Sequence, residues 1–215
     1  MDGRIRWHSL GLLGHRYFAI AIIGSALLYY FPLFHIMPLP TVVSPEGSDM
    51  LAAADKFWTQ DLPGANAANA TAVAIAYQKD PVAAIRAYAR TVGLGGTAYF
   101  FLKGEGIVVS CTRDAVRLSL GSDAATQIEL QIGAIFGNSV RDATGLLDVN
   151  HFSSLQDYNE LASELNKRVE SRVLPNFRNR VYLGAHVVFT GCAEAVETPK
   201  GQQVLSIIPI KAEVH

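Results

Sequence analysis

The stretch TAYFFLKGEGIVVSCTRDAVRLSLGSDAATQIELQIG, residues 97–133, decides the fold. It holds four β-rich runs, TAYFFL, GIVVSC, AVRLSL and QIELQIG. Gly104, Thr112-Arg113-Asp114 and Gly121-Ser122-Asp123 separate them. In VRLSL and IELQI polar and apolar residues alternate, the period of strands that bury one face. The expectation is a small antiparallel meander that closes into a barrel.

Downstream, a helix interrupts the sheet. Ser153-Ser154-Leu155-Gln156 has capping-box spacing, and Tyr158, Leu161, Ala162, Leu165 and Val169 keep one face apolar. Glu160, Glu164, Lys167 and Arg168 form its wet face, with Glu164 and Arg168 attracting at i,i+4, and Pro175 ends it. Strands resume with YLGAHVVFTGCAEAV and VLSIIPIKAEV, joined by the turn Pro199-Lys200-Gly201. The two β-rich halves are loosely alike: KGEGIVVSC…IELQIG is echoed by LGAHVVFTGC…LSIIPIK. Duplication and chance likeness between strands both account for this.

Upstream, three helices are expected. Ser48 or Asp49 caps the first, with Leu51, Ala54 and Trp58 on one face and Pro63 at its end. A small-residue helix runs from about Ala67 to Gln78, in a stretch that also carries the sequon Asn69-Ala70-Thr71. Asp80-Pro81 then reads as an N-cap followed by proline at the first helical position, with Gly93 as a stop.

The head is of another kind. Residues 1–16 carry Arg4, Arg6 and Arg16 against Asp2, and YFAIAIIGSALLYYFPLFHIM (17–37) has no charge over a length that spans a bilayer as a helix. Positive charge before it places the N-terminus in the cytoplasm and the remainder outside. A cleaved signal peptide is the alternative, although small residues fall inside the apolar run rather than after it. The chain thus divides into a basic head (1–16), a transmembrane anchor (17–37), a Pro-rich tether (38–48), a helical segment (49–94), a first β-rich half (95–150), a connecting helix (151–175) and a second β-rich half (176–215).

Only 17% of the 215 residues are charged and the net charge is -1, without a Lys/Arg cluster beyond the head. This argues against a nucleic-acid partner. No nucleophile elbow, phosphate loop or paired-histidine motif is present. The expectation is therefore no enzyme, no metal and no cofactor. Cys111 and Cys192 allow one disulfide in an oxidising compartment, while both also sit in strand-like runs where a buried thiol packs well.

The densest polar cluster is GNSVRDAT (137–144), followed by Asp148, Asn150, His151 and Phe152. Asn138 with the Arg141-Asp142 fork offers a site for a sugar hydroxyl pair or a carboxylate, or else the fork pins its own loop. Lys103-Gly104-Glu105-Gly106 is a second candidate, a tight turn that exposes Lys103 and Glu105. Tyr99, Phe100 and Phe101 offer a stacking surface or core packing.

DKFW (55–58), FFLKGEGIVV (100–109), IELQIG (128–133), VRDA (140–143), NHFSSLQDYNELASELNKRV (150–169) and IIPIKAEV (207–214), in this order, give the chain a resemblance. It is similar to a family of predicted periplasmic lipoproteins often encoded beside ribose-type sugar ABC transporters. The resemblance implies an α+β protein whose ectodomain holds two OB-like antiparallel barrels with helical segments. It also implies an extracytoplasmic, membrane-tethered protein but no settled activity; the leading expectation is a non-enzymatic accessory protein of a sugar uptake system, single-pass in the inner membrane through the helix at 17–37 with its C-terminal domain in the periplasm. An ABC permease or solute-binding protein would be its partner. A periplasmic module that binds a small sugar or nucleoside is the alternative. The head lacks the cysteine that a lipoprotein acylates, so the helix at 17–37 would take over the tethering.

Overall fold

The structure, a computed structural model, describes residues 46–92, 96–121, 125–195 and 204–215. The expected anchor at 17–37, Gly93, Ser122-Asp123 and the turn at 199–201 lie outside these residues. Among the described residues no helix is long and apolar enough to cross a membrane. Ser44–His215 is a compact unit of its own.

Helix α1 (Glu46–Lys56) runs into a π turn (Phe57–Asp61) and a 3-10 turn (Leu62–Gly64). It buries Ala54 and Phe57, while Leu51 is exposed rather than on the packed face. Strand β1 (Ala68–Asn69) leads to α2 (Ala70–Lys79), where the side chain of Asn69 accepts from Ala72 N at 2.9 Å. The asparagine of the sequon is thus the helix cap. Asp80 caps α3 (Pro81–Tyr88) in the same way at 3.1 Å, with proline first as expected. This helix stops before Gly93 and gives way to β2 (Arg90–Val92).

β3 (Thr97–Cys111), β4 (Ala115–Ser119), β5 (Gln127–Gln131), β6 (His186–Ala195) and β7 (Leu205–Val214) complete the sheet. Their order β3-β4-β5-β7-β6 closes through the β3–β6 pairing, so five strands form one barrel. Every pairing in it is antiparallel except β5–β7. Alternation holds as read: Val116, Leu118, Ile128 and Leu130 are fully buried, while Arg117 and Glu129 pair on the outside at 3.3 Å.

The sequence reading needs two corrections. There is one barrel, not two, because the second half supplies only β6 and β7. Two strands cannot close on themselves, and these complete the barrel of the first half, β6 along Ala98–Ile107 of β3 and β7 along β5. TAYFFL and GIVVSC are also a single long strand, with Lys103-Gly104-Glu105-Gly106 extended in its middle rather than in a turn. Gly104 and Gly106 serve close packing there. A Cβ on Gly106 would lie 2.6 Å from Ser119 O, and one on Gly104 would lie 2.8 Å from Ala70 Cβ.

Helix α4 is one turn (Ser139–Asp142), and α5 (Leu155–Arg168) begins at Ser154, whose Oγ accepts from Asp157 N at 3.1 Å. Tyr158, Leu161, Ala162, Leu165 and Val169 are buried as the periodicity requires. Arg168 is not on the wet face: it is buried, and its Nη1 donates to Asp55 at 2.6 Å, tying α5 to α1. Glu164 pairs with Lys167 instead. Nor does Pro175 end the helical run. The chain widens into a π turn (Val169–Val173), which absorbs the missing proline donor, and continues as α6 (Leu174–Arg180).

Candidate functional site

The polar cluster of the sequence folds inward. Arg141 and Asp142 are 4% and 3% exposed. Arg141 Nε and Nη2 donate to the two Asp142 carboxylate oxygens at 2.6 and 2.9 Å. Tyr158 OH adds a third donor at 2.9 Å, and the guanidinium lies 3.6 Å over the Tyr158 ring. Arg141 Nη1 donates to Tyr158 O at 2.9 Å and to Asn159 Oδ1 at 3.2 Å. A fork so filled has no reach to a ligand. Of the two readings of the Arg141-Asp142 fork, this geometry supports the pinning one, in which the pair fastens the 137–144 loop to α5, and not a ligand site.

Burial, followed by the hydrogen bond to Asp142 and its charge, pushes the Tyr158 phenol up to about 12 from 10.0. A phenol that holds its proton more tightly in the fold contributes stability that is complete below pH 10 and lost as pH rises toward 12. Denaturant midpoints measured across that window should fall, and Tyr158→Phe should make the fall shallower. An unchanged slope in the variant would remove this role for Tyr158.

The pinned pair nevertheless shapes a cleft. Asn159, held by Arg141 from behind, lines a hollow of about 390 Å³ with Asn138, Ser163, Asn166 and Phe136. Asn166 Nδ2 donates to Gly137 O at 2.9 Å, which fixes its amide orientation and leaves its Oδ1 without a partner among the described residues. Phe136 is 79% exposed, an unusual position for a phenylalanine. Of these residues the sequence reading picked out only Asn138. Asn159 and Asn166 are seven apart and so share one helix face, the one signal in the sequence that could have found them. Asp148, Asn150 and His151 form a separate exposed turn, and Phe152 packs on Tyr158 at 5.0 Å.

The second candidate pair is separated by function. Glu105 faces His186 at 3.5 Å on the open outer surface of the barrel. Lys103 borders a different cleft, of about 530 Å³, where the helical segment meets β3, β6 and β7. Phe100 points into the core, whereas Phe101, although 6% exposed, lines this second cleft with Trp58.

Both cysteines are free thiols. Cys192 lies opposite Phe101 in the β3–β6 register, and Cys111 is about 30 Å further along the strand. The two do not meet, so of the two readings the disulfide fails and the buried packed thiol holds for Cys192, while Cys111 is exposed. Burial pushes the Cys192 thiol up, which keeps it protonated and inert. Among the described residues no group of three metal-binding side chains is assembled.

A five-stranded barrel with this strand order, carrying a helix between its third and fourth strands, is an OB-fold. The crystal structure of an OB-fold protein from Thermotoga maritima superposes with a TM-score of 0.67 at 24% identity. The match covers 78% of this chain and 98% of that one, so a body of this kind folds as a chain by itself. No protein of curated function matches. The profile of the DUF2291 family, described as predicted periplasmic lipoproteins, matches residues 24–213, and the chain belongs to that family.

Proposed function

We propose that this protein is a non-enzymatic, membrane-tethered carbohydrate-binding module of the periplasm that serves a sugar uptake system. The observation that carries this reading is the nearly free ring of Phe136 beside three asparagine amides around one cleft. Asn138, whose side chain caps nothing, presents one acceptor and two donors in a plane, and Asn159 keeps its Nδ2 donors while Arg141 holds its oxygen; these suit a pair of sugar hydroxyls, and the phenyl face suits the apolar face of a pyranose or furanose. A volume of about 390 Å³ lies in the range of small-molecule sites. The family description supports the compartment.

Thermal unfolding of Ser44–His215 against pentoses, hexoses and nucleosides tests it. A ligand at a hundred times its dissociation constant adds about 2.7 kcal/mol, or roughly 5–10 °C at this size. Phe136→Ala and Asn138→Ala should abolish the shift while leaving the unliganded stability within about 0.5 kcal/mol of its starting value.

A flat panel overturns the reading in favour of an accessory factor that touches a permease or solute-binding protein. One observation favours this second reading: Tyr182 and Leu183 are 61% and 69% exposed beside the Val108 end of β3, where Ile107 and Val109 also face solvent. Crosslinking in membranes would then identify the partner.

A further inference from the structure

We infer that the cleft bordered by Lys103 and Lys211 binds an amphiphilic anion, with its apolar body on Trp58 and Phe101 and its anionic head between the two lysines. The site is separate from the asparagine cleft and nothing in the sugar-binding reading uses it. Lys103 pairs with Thr190 across β3 and β6, and Thr190 pairs with Lys211 across β6 and β7. The three residues therefore form one row over three strands, with the lysine backbones about 10 Å apart and a hydroxyl between them. Two long flexible ammonium groups at that distance converge readily on a single carboxylate or phosphate.

The charges around the row are unbalanced in favour of an anion. Lys211 has Glu213 at 3.1 Å, but Lys103 has no ion-pair partner among the described residues, because Glu105 is turned to His186. No carboxylate lines the cleft. The remaining walls, from Leu62, Pro63, Ala67 and Ile210, are apolar. That composition also selects against a nucleotide. A base would enter a site whose polar side chains are the two lysines, the indole N–H of Trp58 and Thr190, with the threonine hydroxyl their one acceptor, and unpaired polar atoms are costly to bury. A hydrocarbon chain or simple aryl body meets no such cost, and about 530 Å³ accommodates it.

Of the two tryptophans, Trp7 and Trp58, only Trp58 lies in Ser44–His215, so its fluorescence reports directly on the cleft. Titration with decanoate below its micellar range should give a saturable change that weakens as salt rises. Lys103→Gln should weaken it by about tenfold, the loss of one charge-assisted contact. Decanol and adenosine monophosphate should give little change. Saturation by free decanoate or decyl phosphate assigns the site to a soluble amphiphile. A response only to phosphatidylglycerol vesicles assigns the same chemistry to a lipid headgroup at the membrane. No saturable change with any of these anions overturns the proposal, as does decanoate binding that Lys103→Gln leaves intact, or equal binding of decanol. Sugar-induced stabilisation is read separately at the Phe136 cleft, so the two proposals fail independently.

Discussion

Asp142→Ala should lower the melting temperature by about 10 °C or more, among the largest effects expected of a polar substitution at the described residues. The carboxylate is 3% exposed and accepts from Arg141 twice and from Tyr158 once. Removing it strands a guanidinium that is itself 4% exposed, and breaking a buried pair from one side costs about 3–5 kcal/mol. At roughly 2–4 °C per kcal/mol for a domain of this size, the midpoint shift follows. Arg141→Met, which leaves the carboxylate stranded instead, should be comparably harmful. The double variant should lose clearly less than the two single losses added together, since no charge then remains buried without a partner. Additive losses, or an Asp142→Ala cost below about 1 kcal/mol, would mean that the pair behaves as an exposed one and that the pinning role is wrong. The same experiment bears on the asparagine cleft. Arg141 holds Asn159 from behind, so any loss of sugar binding in Asp142→Ala must be compared with Asn159→Ala, which removes the cleft group and leaves the pinned pair intact.

What could be read from the sequence was whatever depends on neighbours in the chain. Alternation in AVRLSL and QIELQI reports on one strand at a time, and it placed Val116, Leu118, Ile128 and Leu130 in the core correctly. Asp80 is legible as a cap because a cap bonds to a backbone group three residues away, whereas the capping-box spacing at 153–156 points to Ser153, one residue before the serine that caps α5. Reading Pro175 as a stop is a local error too, but the other misreadings concern partners distant in the chain. Arg168 looks like a solvated i,i+4 partner until Asp55, 113 positions earlier, is brought against it. Arg141 and Asp142 leave a ligand fork and a loop pin both open until Tyr158 closes over them. The second β-rich half looks like a barrel of its own until the pairing of β6 with β3 shows that it completes the first. The cleft was only partly legible for the same reason: Phe136 and Asn138 come from a loop, Asn159 and Asn166 from a helix, and only the fold sets them side by side.

Gly106→Ala separates the two readings of KGEG directly. At a solvent-exposed turn with ordinary dihedral angles, alanine in place of glycine is tolerated or even stabilising, because it restricts the unfolded chain. In the barrel the added methyl meets Ser119 O at 2.6 Å, Leu120 Cδ2 at 3.1 Å and Leu118 Cβ at 3.2 Å. The first of these is backbone, in the strand paired with β3 at Ile107↔Ser119, and it cannot withdraw without loosening the β3–β4 ladder. Overpacking of this kind costs about 1–3 kcal/mol, and a backbone contact belongs at the upper end, a loss of roughly 6–12 °C. Gly104→Ala meets Ala70 Cβ at 2.8 Å and the ring of Phe189, and so presses α2 away from the barrel rather than one strand from the next. The two variants should therefore differ in kind. Gly106→Ala should accelerate amide exchange along β4, while Gly104→Ala should do so in α2 and leave β4 protected. Alanine at position 106 with an unchanged or raised melting temperature would restore the turn, and with it Lys103 and Glu105 as the tip of an exposed loop.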